Sequence, residues 1–270
     1  MAGGEILNIM KITINHKDKN IDVFYRIKGA EKDSPVIFIH GLAGDSRFFH
    51  NQLNYFGELY KTIAIDLPGH GRSSPITEQS FELYNRSVEA VIENEKIDSY
   101  ILAGHSMGGP LSIENYLKNR DKVKALILIS TSYNFHITKK IIDASIEDFD
   151  NLFNKIFPKI FHKKSGIFMA AARETLTEDY KKAISGDLIL CSEINYNEQL
   201  AGIDIPVLLV ANKFDRMIPV YLTEEMHWKI KNSKLVIFDE EGHVPFFENS
   251  DEFNKAVGEF IQSENVRTAD

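Results

Sequence analysis

A single cysteine, Cys191, stands in 270 residues. One thiol excludes an internal disulfide and any all-cysteine metal site, and it fits a reducing compartment. No apolar run approaches the roughly 18 residues expected of a membrane-spanning helix, so no membrane insertion is expected. The opening Met1-Ala2-Gly3-Gly4-Glu5 lacks the basic stretch and apolar segment of a secretory signal. Without that signal the sequon Asn85-Arg86-Ser87 reads as chance, and a cytoplasmic location is expected. Positive charge is in deficit: 31 Lys and Arg against 39 Asp and Glu give a formal charge of −8. That balance argues against nonspecific binding to nucleic acid or anionic membranes, both of which need a basic surface. No His-Glu-x-x-His pattern occurs, and neither a metal nor a cofactor is expected. Internal repeats and low-complexity segments are missing too.

What is present is ordinary for a globular chain, with 43% hydrophobic and 26% charged residues. Two alternating segments, Ile6 to Ile14 and Ile21 to Ile27, predict an antiparallel hairpin around His16-Lys17-Asp18-Lys19-Asn20. The pattern then changes to short, wholly apolar strands separated by helical stretches. They begin at Val36, Thr62, Tyr100, Ala125, Val207 and Leu235. Strands apolar on both faces predict a mostly parallel sheet with helices on both sides, eight strands in all with the hairpin. The spacing breaks once: roughly 75 residues separate Ile129 from Val207, too many for a simple crossover. This stretch reads as a helical cap at 132–190 inserted into a core domain of 1–131 and 191–270. Its apolar positions Phe149, Leu152, Phe153, Ile156, Phe157 and Ile160 read first as packing against the core and second as a pocket roof. Pro158 should end or kink that helix. Cys191 and Trp228 are read as structural.

The chemistry is concentrated at strand ends. Gly104-His105-Ser106-Met107-Gly108 follows the run Tyr100-Ile101-Leu102-Ala103 and precedes a helical segment. So tight a strand-to-helix turn strains the central residue and exposes its hydroxyl at a helix N-terminus, which makes Ser106 a candidate nucleophile. Among nine histidines, His243 lies after the last strand in a glycine-flanked loop, the right place for a base that must reach Ser106. Asp215, after the strand Val207 to Val210, can orient that base and stabilise its charged form. Its rivals Asp239, Glu240 and Glu241 lie too close to His243 in sequence to hold it from a neighbouring strand. Ser130-Thr131-Ser132, after the preceding strand, offers no carboxylate. The first parallel strand ends in His40-Gly41-Leu42-Ala43-Gly44, so the N–H groups of Leu42 and Met107 are candidate oxyanion donors. His40 is read as structural and Asp66 as shaping the loop Asp66-Leu67-Pro68-Gly69-His70-Gly71-Arg72-Ser73. That loop lacks the third glycine of a dinucleotide fingerprint.

Together these segments resemble the α/β-hydrolase superfamily across nearly the whole chain. His40-Gly41 looks like its oxyanion loop, Gly104 to Gly108 like its nucleophile elbow, and Ser106, Asp215, His243 stand in the superfamily's order. The resemblance implies an α/β-hydrolase fold and a serine carboxylesterase-like enzyme with a small helical cap. The expected substrate is a small or medium carboxylic ester, and a homodimer is left open. Two alternatives stay open: a carbon–carbon bond hydrolase of vinylogous diketones, and a slow binding or signalling module on the same fold. Serine at the nucleophile position argues against haloalkane dehalogenases and epoxide hydrolases, which place aspartate there. Phe149, Phe153, Phe168, Phe48 and Phe49 would suit an apolar acyl group.

Overall fold

Alternating side chains along the first two segments produce the antiparallel pair β1 (Asn8–His16) and β2 (Lys19–Lys28). The turn between them places Lys17 and Asp18 at φ 48° and 62°, the left-handed geometry that matches the twist of a two-residue hairpin. The structure is a computed structural model that describes residues 7–163, 173, 176–263 and 266. β2 pairs antiparallel with β4 (Thr62–Ile65). From there the sheet is parallel through β3 (Val36–Ile39), β5 (Tyr100–His105), β6 (Val123–Ile129), β7 (Val207–Asn212) and β8 (Ser233–Phe238). The order is β1-β2-β4-β3-β5-β6-β7-β8, the eight-stranded, mostly parallel sheet that the pattern predicts.

Every residue of β3, β4, β5 and β7 is buried, which explains why these strands read as continuous apolar runs. Successive residues serve opposite layers. Ile37, Ile39, Leu102 and Leu209 pack with α2 (Phe81–Asn94) and α3 (Gly108–Lys118). Val36, Phe38, Ala103 and Leu208 pack with α1 (His50–Phe56) and the C-terminal helix described below. Burying one such side chain contributes about 1.5–3 kcal/mol, so the two layers supply most of the cohesion. Ser80 caps α2 by accepting the Leu83 N–H at 3.1 Å.

The long excursion between β6 and β7 is helical, with α4 (Lys139–Glu147), α5 (Phe149–Ile156) and α6 (Glu178–Glu193). α5 ends before Pro158, as expected, and a short 3-10 turn follows. The expected limit at residue 190 falls inside α6, which runs to Glu193 and is closed by the Ile194 N–H on the Cys191 carbonyl. The two ends of the excursion are stitched together at an Asn134–Asn195 bridge, with the Tyr196 N–H on the Tyr133 carbonyl at 2.9 Å. After β7 come α7 (Val220–Lys229), α8 (Pro245–Glu248) and α9 (Ser250–Ile261). Trp228 on α7 is 84% exposed, so its expected packing role is not met: its face of α7 meets solvent rather than the sheet. No helix among the described residues is long and apolar enough to cross a membrane.

A buried polar cluster ties α6 to the core. Asp187 accepts from the Tyr84 hydroxyl at 2.6 Å, and its other oxygen lies 3.0 Å from His70 Nε2, an ionic approach whose angle is poor for a hydrogen bond. Burial opposes charge on His70, but Asp187 outweighs it and leaves the His70 pKa raised. That charge therefore stabilises the fold below the ordinary histidine pKa near 6.5, and the contribution is lost as pH rises through the raised value. Asp187→Ala, which leaves a histidine buried without its counter-charge, is expected to cost about 3 kcal/mol in urea unfolding at pH 6. A loss of only a few tenths would show that the pair does not hold the excursion down.

Candidate active site

Ser106 sits at φ 51°, between the end of β5 and the start of α3. A left-handed conformation costs a non-glycine residue roughly 1–2 kcal/mol. It persists because the Ser106 N–H is held by the Ile129 carbonyl at 2.9 Å, and its carbonyl takes the Gly109 N–H and the Thr131 hydroxyl at 2.9 and 2.7 Å. Glycine is required at position 104 because a Cβ there would collide with the Gly108 carbonyl as α3 folds back over the strand. It is required at position 41 because a Cβ would lie 2.7 Å from that of Ser106. The loop after β3 is thereby brought against the serine.

His243 and Asp215 are brought together from the ends of β8 and β7. His243 Nδ1 lies 2.8 Å from Asp215 Oδ2, and both side chains are almost fully buried. The second Asp215 oxygen accepts the Met217 and Ile218 N–H groups at 2.7 and 2.9 Å. With three donors on it, the carboxylate is held as an acceptor. The His243 ring therefore directs an N–H at Nδ1 to Asp215, which leaves Nε2 as the nitrogen not engaged by that carboxylate. The rival carboxylates are used elsewhere: Asp239 pairs with Lys213, Glu240 with Lys163, and Glu241 accepts from Asn249.

Two contacts that hold His243 leave no sequence signature. The His243 N–H donates to the Ile160 carbonyl at 2.8 Å, from the excursion between β6 and β7. Its carbonyl accepts from Nε2 of His105, the residue before the serine, at 2.9 Å. His105 is buried beside His243, which drives its pKa well below the ordinary value and keeps it a neutral donor. His105 is thus a positioning residue that motif reading passes over as the variable position of the turn. His105→Ala is expected to lower kcat on an activated ester about fivefold with little change in KM, since a charge-free hydrogen bond of about 1 kcal/mol to the His243 segment is lost. An unchanged kcat would remove His105 from the site.

His40 behaves as expected of a loop residue. Its Nδ1 donates to the Gly41 carbonyl at 2.8 Å and its Nε2 accepts the Leu67 N–H at 3.1 Å. Burial, then the neighbouring His70, pushes its pKa down to about 4. Asp66 shapes its loop through the N–H groups of Ser46 and Arg72, at 2.7 and 3.0 Å. Among the described residues the Leu42 and Met107 N–H groups have no protein acceptor.

Ser106, His243, Leu42 and Met107 all border one cavity of about 530 Å³. Its wall includes the apolar stripe of α5, Phe149, Leu152, Phe153 and Ile156, and Phe157 of the turn that follows, so the stripe lines the pocket as well as packing. Phe49 is not there: it is buried against Phe38 and Phe246 because the loop after β3 turns it into the sheet layer. Phe48 also packs on that layer, and Phe168 lies outside the described residues. Cys191, expected to be structural only, contributes to the cavity wall. No cluster suited to a metal ion occurs among the described residues.

The chain is 29% identical over 254 residues to the AB hydrolase superfamily protein YisY of Bacillus subtilis, covering 85% of this chain and 92% of the relative. It is 26% identical over 235 residues to a pimeloyl-[acyl-carrier protein] methyl ester esterase of Legionella pneumophila, covering 84% and 95%. An esterase from Exiguobacterium antarcticum superposes with a TM-score of 0.82 over 94% of this chain and all of that one, at 21% identity, which speaks for the fold. Residues 191–270 match a family described as TAP-like protein, and residues 34–185 match the family described as alpha/beta hydrolase fold. The latter match spans more than half of the sequence and takes in the loop at Gly41 and the turn at Ser106, and the chain belongs to the alpha/beta hydrolase fold family.

Proposed function

We propose that this protein is a serine hydrolase that cleaves small to medium carboxylic esters through an acyl-enzyme. The observation that carries the reading is the 2.8 Å pair of His243 and Asp215 at the cavity that also holds Ser106 on its strained turn. In this scheme the Ser106 hydroxyl attacks the acyl carbonyl while His243 Nε2 takes its proton. The N–H groups of Leu42 and Met107 receive the negative charge that develops on the carbonyl oxygen. Losing one such donor typically costs roughly 3–4 kcal/mol of barrier. His243 then passes the proton to the departing alcohol. Water, deprotonated by the same nitrogen, attacks the acyl carbonyl; the bond to Ser106 Oγ breaks, His243 returns the proton to that oxygen, and the acid is released. Asp215 keeps the ring in the tautomer that each step needs.

An esterase reading is also supported by the Legionella relative, whose name is that of a methyl ester esterase. The mostly apolar cavity of about 530 Å³ suits a short to medium acyl chain. The segment from about 134 to 195 then acts as the cap that sets chain length. Fluorophosphonate labelling tests the reading: one adduct per chain is expected, on the tryptic peptide containing Ser106. It should be accompanied by turnover of p-nitrophenyl esters that peaks at short or medium acyl length. Absence of both would sink the assignment. Turnover of a vinylogous diketone orders of magnitude above any ester would move it to carbon–carbon cleavage.

A further inference from the structure

The cavity that holds Ser106 is not electrically neutral. Its described lining is largely apolar, yet it includes Arg216, Lys159 and the ionisable His136, and no Asp or Glu. This local excess of positive charge runs against a chain whose formal charge is −8. Neighbouring surface cations are matched, Lys163 by Glu240 and Lys213 by Asp239, both at 2.5 Å. Among the described residues Arg216 and Lys159 have no carboxylate partner. Asp215, beside Arg216 in sequence, is turned inward and occupied by His243, Met217 and Ile218.

The two cations are also placed by the same residue. Arg216 follows Asp215, which holds the His243 ring; Lys159 precedes Ile160, whose carbonyl holds the His243 N–H. The segments that carry them are thus anchored to His243, one from the core and one from the excursion. Both side chains are exposed and stay hydrated until an anion arrives. Beside apolar walls, which exclude water once a ligand enters, their attraction for that anion exceeds what the open surface would give.

We infer that Arg216 and Lys159 form an anion subsite of this cavity, and that the substrate is an ester bearing a free carboxylate as well as an apolar chain. The inference rests on the ester reading for the words "substrate" and "ester", and on the cavity alone for the anion. The carboxylate can sit in the acyl half or in the alcohol half, and substrate pairs separate the two. Monoethyl adipate is compared with ethyl adipamate, and O-butyrylglycolate with O-butyrylglycolamide.

For at least one pair the carboxylate ester should have a kcat/KM roughly tenfold above the amide, carried mainly in KM and eroded by 0.5 M NaCl. In the double variant Arg216→Gln, Lys159→Gln that ratio should fall to about one, and Arg216→Lys in the single-site series should restore most of it. Binding of hexanoate against hexanamide to Ser106→Ala, followed by ligand-observed NMR, should show the same preference and the same loss. A wild-type ratio near one for both pairs, or a preference that survives the double substitution and high salt, overturns the subsite. If no ester is turned over while hexanoate is still preferred, the ester reading fails and the subsite stands.

Discussion

Ser106→Ala is expected to lower kcat/KM on p-nitrophenyl butyrate by about 10⁴-fold or more. The change removes one oxygen from a side chain whose backbone is held by Ile129, Gly109 and Thr131, so the turn keeps its shape. What remains is the cavity, the two free N–H groups and a histidine with nothing to deprotonate except water. On the proposed mechanism those parts would still bind the ester and stabilise its oxyanion, so the residue of activity should stay measurable above the uncatalysed rate. Urea unfolding should show near wild-type stability, because the alanine keeps the left-handed backbone of the turn and the hydrogen bonds that hold it. Turnover within tenfold of wild type would remove Ser106 as nucleophile, and with it the acyl-enzyme.

Asp215→Asn tests the other end of the relay without emptying space. The asparagine carbonyl can keep the Met217 and Ile218 N–H groups, which the carboxylate now accepts at 2.7 and 2.9 Å. That choice turns the amide NH2 toward His243 Nδ1, where the structure has an acceptor at 2.8 Å. Two donors cannot face each other, so the imidazole moves its proton to Nε2. A protonated Nε2 cannot take the proton of Ser106. The expected loss is roughly 10³–10⁴-fold in kcat with KM little altered, because the cavity walls are untouched. Steady-state kinetics on p-nitrophenyl butyrate decides it: a loss below tenfold would mean that Asp215 does not orient the base. A large rise in KM would mean that it shapes the pocket.

The contrast between what the sequence discloses and what only the fold discloses is physical. Strand runs such as Val36–Ile39 are legible because both faces are buried. Ser106 is legible because a strained turn needs small residues at fixed offsets, and Asp215 and His243 because they end strands. Backbone contacts have no such signature. The carbonyl of Ile160 and the N–H of His243 meet across 83 positions, and nothing in either side chain announces it. Phe49 and Phe149 are the same residue type, yet one is buried against Phe38 and the other faces the cavity. Periodicity says that each is apolar but not which wall it faces. Trp228 fails the same way, since a residue's exposure depends on what a helix meets rather than on the helix.

The hydrogen bond from His243 to Ile160 makes one object of two that are easily treated apart. A roof over a pocket is ordinarily exchangeable: new roof, new substrate, same machinery beneath. Here the roof carries one of the struts of the machinery. Any chimera that replaces the stretch between Asn134 and Asn195 must deliver a carbonyl to the amide of His243, or it will trade reactivity for the new specificity.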